Sequence, residues 1–154
     1  MTVLAIRPAT MSDAPIVTAH RRAMFDAMGF THPAELDLMD ARGIGWVTDK
    51  MAQGEYLHWF ATEADGRIVA GAGLWLMDWP PHAIDPSSRR GNILNVYTDP
   101  AYRRQGLARR LTQVALDWCR ANGIRTIILH ASDEGRALYE SLGFKATNEM
   151  RMQL

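Results

Sequence analysis

One segment limits the fold more than any other. Residues 104–122 read as an amphipathic helix, with Leu107, Leu111, Val114, Ala115, Trp118 and Cys119 on one face at helical spacing. A strand-like run, Ile93 to Thr98, precedes it across an Asp99-Pro100 turn. A β-branched run, Arg125 to Ala131, follows the Asn122-Gly123 cap. An apolar helical stripe must be buried on another layer, and flanking strands imply that the layer is a sheet.

The rest of the chain extends this alternation. Val3 to Ile6 reads as a strand ended by Arg7-Pro8, and Ser12-Asp13 opens a helix that Gly29 stops. A second helical region runs from about Pro33 to Met51, broken by Gly43 and Gly45. Tyr56 to Thr62 and Ile68 to Met77 form a hairpin about Asp65-Gly66. Gly71, Ala72 and Gly73 in its return strand leave room for another backbone or a ligand. Trp79 to Gly91 is a long loop. Ser132 N-caps a short helix to Leu142, Gly143 follows it, and Phe144 to Leu154 is a final extended strand. The order is strand, two helices, three strands, helix, strand, helix, strand. That is an α/β (α+β) protein: one mixed sheet with helices on both faces, in a single domain over residues 1–154.

Charge excludes several partners. The chain has 154 residues, and 17 Lys+Arg balance 17 Asp+Glu. A neutral total argues against nucleic acid or a polybasic membrane contact. No apolar run approaches the roughly 20 residues of a membrane span, and Arg7-Pro8 interrupts any secretory leader. Cys119 is the single cysteine, so no intramolecular disulfide forms and a cytoplasmic location is expected. The five histidines lack paired ligand spacing, so no metal is expected.

The neutral total hides a local excess. Between Arg89 and Arg110 lie six arginines (Arg89, Arg90, Arg103, Arg104, Arg109 and Arg110) against Asp99 alone. Four of them crowd a helix N-terminus, where the macrodipole disfavours cations by about 0.3–1 kcal/mol each. Two readings account for them: a solvated helix start, or a site whose occupant is an anion held by free N–H groups. Gly106 in the first turn lets a ligand approach the backbone.

Arg103-Arg104-Gln105-Gly106-Leu107-Ala108 resembles the Arg-x-x-Gly-x-Ala pyrophosphate motif of the GNAT superfamily of acyl-CoA-dependent N-acyltransferases. Asn95 to Tyr102 resembles that family's splayed strand and turn, and Leu138-Tyr139-Glu140-Ser141-Leu142-Gly143-Phe144 its C-terminal signature. The resemblance implies a GNAT-type sheet whose central strands, Ile93–Thr98 and Ile127–His130, run parallel and splay apart. Acetyl-CoA would be the cosubstrate. Its pantetheine arm would pair with the main chain of Val96, Tyr97 and Thr98, and a backbone N–H near Val96 would polarise the thioester. Its pyrophosphate would lie on Arg103, Arg104, Gln105, Gly106, Leu107, Ala108 and Arg109, and Ser132 would contact the coenzyme. Tyr139 would be the acid for the leaving thiolate.

The general base departs from the family's patterns. Inward positions that hold Glu or His in some members hold Asn92 and Leu94 here, and a following strand has Ile127. Asp78, His82, Asp85, His58, Glu63 and His130 remain, beside proton loss through water. Trp46, Trp59, Trp75 and Trp79 are candidates to line an acceptor pocket beneath the loop after Trp79, and Trp118 belongs to the core. The function implied is acetyl transfer to a primary amine of a small molecule. The alternatives are a protein N-terminal or lysine acetyltransferase and a non-catalytic acyl-CoA-binding module. Neither nucleic acid nor a membrane is expected as a partner, and a homodimer is admitted.

Overall fold

The computed structural model describes residues 3–154. Its spine is a five-stranded sheet in sequence order: β1 (Ala5–Pro8), β2 (Tyr56–Thr62), β3 (Ile68–Asp78), β4 (Arg89–Thr98) and β5 (Ile127–Leu129). The first four strands are antiparallel neighbours, and β4 pairs with β5 in parallel. A parallel pair needs a long crossover. The amphipathic helix supplies it as α3 (Leu107–Ala121).

Two apolar layers sandwich the sheet. On one face α3 buries Leu107, Leu111, Ala115, Leu116 and Cys119 against Ala70, Ala72, Leu74 and Ile93. Each leucine so buried stabilises the fold by about 1.5–3 kcal/mol. On the other face α1 (Ala14–Ala27) and α2 (Pro33–Ala52) cover Tyr56 and Phe60 with Ala14, Val17 and Val47. The short α4 (Arg136–Ser141) follows β5 and has no fully buried residue. No helix among the described residues is long and apolar enough to cross a membrane.

Several boundaries differ from expectation, each for a physical reason. β1 runs through Arg7-Pro8, because it is an edge strand where a missing N–H costs no ladder bond. The first helix is prepared by a 3-10 turn, Met11–Asp13, with Asp13 accepting from the Thr10 N–H at 2.8 Å. α2 is continuous through Gly43 and Gly45, since its packing on α1 offsets their weak helix propensity. Helix α3 begins at Leu107 rather than Arg104, because Gly106 is its left-handed N-cap. Ser132 does not cap α4. It closes the preceding turn, its Oγ accepting from the Gly135 N–H at 3.2 Å.

The largest departure is the C-terminus. Residues 144–154 form no strand, although Met150, Met152 and Leu154 alternate as a strand would. Those three side chains are 95%, 80% and 106% exposed, so no apolar layer of this chain receives them.

Candidate active site

The parallel pair opens as expected. β4 meets β5 only at Gly91, Asn92 and Ile93, which stand opposite Ile127, Ile128 and Leu129. Beyond them Leu94 to Thr98 has β3 on one side and no strand on the other. Val96, Tyr97 and Thr98 lie on that freed edge. Their β3 side is irregular: Tyr97 faces Gly71 and Leu94 faces Gly73, so Asn95 and Val96 share one opposing residue. Asn95 has φ 54° there, the left-handed conformation that asparagine tolerates. A bulge re-aims a side chain, and here it turns Asn95 into the core, 4% exposed.

The strand leads through Asp99-Pro100 into the Arg-Gly turn. Arg104 has φ 60° and Gly106 φ 77°. Left-handed residues in such a turn aim main-chain N–H groups into an anion-binding concavity. The Arg110 N–H donates to the Gly106 carbonyl at 3.0 Å, so the N–H groups of Leu107, Ala108 and Arg109 precede the first intrahelical bond. A Cβ built on Gly106 would meet nothing within 4 Å, leaving the space over the turn open. Open space, free donors and a positive helix end suit a phosphate group.

The arginine cluster divides its labour. Arg110 Nη1 donates to the Leu4 carbonyl at 2.8 Å, fastening α3 to the start of the chain. Arg103 Nε reaches the Thr98 carbonyl at 3.2 Å, and Arg90 lies 4.3 Å over the Trp79 ring. Arg109 Nη2 donates to Ser141 Oγ at 2.5 Å and ties α3 to α4. Arg104 is exposed and, among the described residues, has no side-chain partner. The sequence alone presents six equivalent cations, while the fold leaves few of them free.

Beside the bulge, on the α1–α2 face, lies a cavity of about 410 Å³. Trp46, Trp75, Val17, Val47 and Leu94 give it apolar walls, with Arg21, Arg42, Asp40 and Asn95 as polar positions. Trp46 and Trp75 are therefore the tryptophans of this pocket, with ring centroids 5.4 Å apart. Trp59 is instead buried on the α3 face. No residue from the loop after Trp79 lines the cavity. That loop is fastened elsewhere: Asp85 accepts from Thr126 at 2.6 Å and from the Ser87 hydroxyl at 2.7 Å.

A buried polar chain underlies the pocket. Arg21 Nη1 donates to Asn95 Oδ1 at 2.7 Å, and Asn95 Nδ2 donates to the Tyr56 hydroxyl at 3.0 Å. That hydroxyl lies 2.9 Å from His58 Nδ1. Since it already accepts from Asn95, the network assigns its proton to His58 Nδ1, and the imidazole proton to Nε2. Burial pushes His58 down to about 3, so the ring is neutral at physiological pH. The small residues of β3 find their purpose here, and the neighbour is neither a backbone nor a ligand. A Cβ on Gly71 would stand 2.6 Å from His58 Nε2, and one on Gly73 would strike the Tyr56 hydroxyl.

Tyr139 sits on α4 with its ring edge toward Phe144, centroids 6.0 Å apart. Burial raises its pKa, which keeps the phenol protonated. Ser132 is exposed in the turn after β5. The base candidates have structural employment or lie away from the cavity. Ser87 and Thr126 hold the Asp85 carboxyl down to about 2. Glu63 binds Tyr102 and Arg67, and His130 pairs with Glu149 at 2.8 Å. His82 Nδ1 accepts from the Ile84 N–H at 3.2 Å, and Asp78 is exposed at the end of β3. Asp40 is the one carboxylate in the cavity wall.

Comparisons with known proteins agree with this geometry. A model of the acetyltransferase (GNAT) family matches residues 21–144. The crystal structure of a GCN5-related N-acetyltransferase from Ralstonia eutropha JMP134 is 34% identical, with TM-score 0.91 over 99% of each chain. A protein from Clostridium acetobutylicum, described as a predicted acetyltransferase with acetyl-CoA, is 26% identical, with TM-score 0.89 over 99% of this chain and 96% of that one. Glucosamine 6-phosphate N-acetyltransferase of Trypanosoma brucei brucei is 33% identical over 96 residues, 62% of this chain and 63% of that protein. A mycothiol acetyltransferase of Beutenbergia cavernae is 35% identical over 85 residues, 26% of its own length. The chain thus spans less than two thirds of these curated relatives. With a split parallel strand pair, an open Arg-Gly turn and a family model covering most of its length, the chain belongs to the acetyltransferase (GNAT) family.

Proposed function

We propose that the protein is an N-acetyltransferase that moves the acetyl group of acetyl-CoA to a primary amine of a small molecule, by direct transfer in a ternary complex. One observation carries this reading. The freed β4 edge connects an open phosphate cradle at Gly106 with an apolar cavity of small-molecule size. A crystallised neighbour described with acetyl-CoA supports the choice of coenzyme. The cavity volume favours a small acceptor over a protein chain.

Acetyl-CoA supplies an acetyl group activated as a thioester. The main chain of Val96, Tyr97 and Thr98 offers a strand edge for an extended arm, and a Val96 N–H stabilises the oxyanion. The N–H groups from Gln105 to Arg109, with the Arg104 side chain, hold phosphate oxygens. Arg103 serves through its tie to Thr98, and Ser132, exposed in the turn after β5, contacts the coenzyme. The amine lone pair forms the N–C bond, the C–S bond breaks, and the Tyr139 hydroxyl protonates the thiolate. Water carries away the ammonium proton.

Two further features complete the reading. Cys119 is fully buried, with its thiol pushed up to about 11, which keeps it unreactive, and as the single cysteine it forms no intramolecular disulfide, in line with a cytoplasmic location. The open outer edge of β5 and the exposed, alternating Met150, Met152 and Leu154 complement one another. A second copy of this chain is the partner that offers both, so the protein forms a homodimer by pairing these segments.

The test follows CoA release across an amine panel, in the wild type and in Tyr139→Phe. Loss of the acid lowers kcat by about 10²-fold or more, with the acetyl-CoA dissociation constant nearly unchanged. Lost coenzyme affinity at unchanged kcat would return Tyr139 to a packing role. Coenzyme binding with no turnover on any amine would leave an acyl-CoA-binding module.

A further inference from the structure

Consecutive arginines of α1 have opposite fates. Arg22 meets three carboxylates: Asp40 at 2.8 Å, Asp37 at 2.9 Å and Asp26 at 3.6 Å. Arg21 meets none among the described residues. It is half-buried, lines the cavity, and its guanidinium bonds a neutral amide, Asn95 Oδ1. Its other neighbour is the Phe25 ring, 5.2 Å from Cζ. A guanidinium has five donors in a rigid fork and stays charged at any physiological pH. One donor is engaged here, among walls of tryptophan, valine and leucine.

The orientation is built, not incidental. Asn95 is fixed by the bulge at φ 54°, by Tyr56 and, through it, by His58. Gly71 and Gly73 keep the space those two rings need. A buried network, bonded from Arg21 through Asn95 and Tyr56 to His58 Nδ1 with His58 Nε2 left without a partner, thus aims a cation with open donors into an apolar cavity. A half-desolvated charge of this kind suits an anion that can accept two parallel N–H bonds. Asp40 in the same wall is already paired with Arg22, and Arg42 at the rim is exposed, so Arg21 is the half-buried cation of this wall that meets no carboxylate among the described residues.

Building on the acetyltransferase reading above, we propose that Arg21 binds the carboxylate of the acceptor, and that the acceptor is an α-amino acid with an aromatic or large apolar side chain. The apolar group lies against Trp46 and Trp75. The carboxylate and the reacting nitrogen must be close together, because Asn95, the partner of Arg21, immediately precedes Val96 on the freed edge. An α-amino acid meets that condition, and a peptide N-terminus, whose first carboxyl group is an amide, does not. Asn95, Tyr56 and His58 are positioning residues for Arg21.

The experiment has a kinetic and a binding arm. In the first, CoA release is measured with L-phenylalanine, L-phenylalaninamide and a tripeptide beginning with phenylalanine. The free acid should exceed both in kcat/KM by about tenfold to hundredfold, the range for a charge-assisted hydrogen bond. In Arg21→Gln the acid should fall to the level of the amide, and Arg21→Lys should recover part of the loss. In the second arm, binding of N-acetyl-L-phenylalanine in the presence of CoA is measured by calorimetry, which needs no turnover. It should weaken by the same factor in Arg21→Gln, while acetyl-CoA still stabilises that variant. An amide or peptide preferred over the acid by the wild type overturns the proposal, whatever becomes of the variants. Retained acetyl-CoA binding with N-acetyl-L-phenylalanine indifferent to Arg21 also overturns it. Absence of acetyl-CoA binding, with the acid still held through Arg21, instead overturns the transferase reading.

Discussion

Gly106 separates coenzyme binding from folding. It N-caps α3 at φ 77°, and a Cβ there would meet no atom within 4 Å. Gly106→Ala therefore introduces no clash, and its cost is the left-handed strain of an L-residue, about 1–2 kcal/mol. For a chain of this length that lowers Tm by roughly 2–8 °C. The space that the methyl enters is the cradle over the N–H groups of Leu107 to Arg109. Gly106→Glu carries the same strain and adds a carboxylate where phosphate should lie. At a concentration 100 times the dissociation constant, acetyl-CoA stabilises the wild type by about 2.7 kcal/mol. A hundredfold loss of affinity in Gly106→Glu reduces this to about 0.4 kcal/mol at the same concentration. Thermal unfolding with and without acetyl-CoA reads both quantities from one sample set. The expected pattern is similar apo midpoints for the two variants and a coenzyme-induced shift nearly abolished in Gly106→Glu. A full shift in Gly106→Glu would refute the placement of the phosphates on this turn.

Two other predictions concern stability and assembly. Arg7, followed by the Thr10 N–H, holds the Asp13 carboxyl down to about 2, below its unfolded value. Its contribution is therefore present above about pH 4 and lost as pH falls toward 2, with a magnitude of about 2 kcal/mol. Urea unfolding of Asp13→Asn against wild type should show that gap at pH 6 and its closure near pH 2; a gap independent of pH would sink the assignment. The neutral His58 and His20, pushed down to about 3 and about 4, add acid sensitivity below pH 6.5 that both proteins share. For assembly, light scattering should give a dimer mass for the full chain and a monomer mass for Met150→Asp/Met152→Asp, and a monomeric wild type would remove the C-terminal pairing.

Much of the fold was legible because its signals are local. The stripe of α3, the hairpin about Asp65-Gly66 and the turn at Gly106 are set by residues within a few positions of one another. The hairpin strand Tyr56–Thr62 has the bounds its sequence suggests. Reading failed where a neighbour distant in sequence decides. Gly43 and Gly45 read as breaks, yet packing against α1 keeps α2 intact. The alternation of Phe144 to Leu154 reads as a strand, yet no edge of the same chain accepts it.

The candidate site divides along the same line. The phosphate turn is legible because every group it needs lies between Asp99 and Arg110, and local backbone conformation assembles it. The acceptor cavity is not. Arg21 reaches Asn95 across 74 positions, and Asn95 reaches Tyr56 across 39. In sequence, Arg21 and Arg22 differ only in that Arg22 has Asp26 four positions on and Arg21 has Phe25, and His58 is one more candidate base. Tertiary packing brings Asp37 and Asp40 of α2 to Arg22, hides His58 as a neutral prop, and leaves Arg21 without a carboxylate in a wall that holds two tryptophans. The sequence by itself determined the five strands from β1 to β5, the crossover helix and the anion-ready turn, since periodicity and capping are encoded within a few residues. Only the tertiary structure decided which charges are neutralised and which remain free for a ligand, because that depends on what the fold brings against each one.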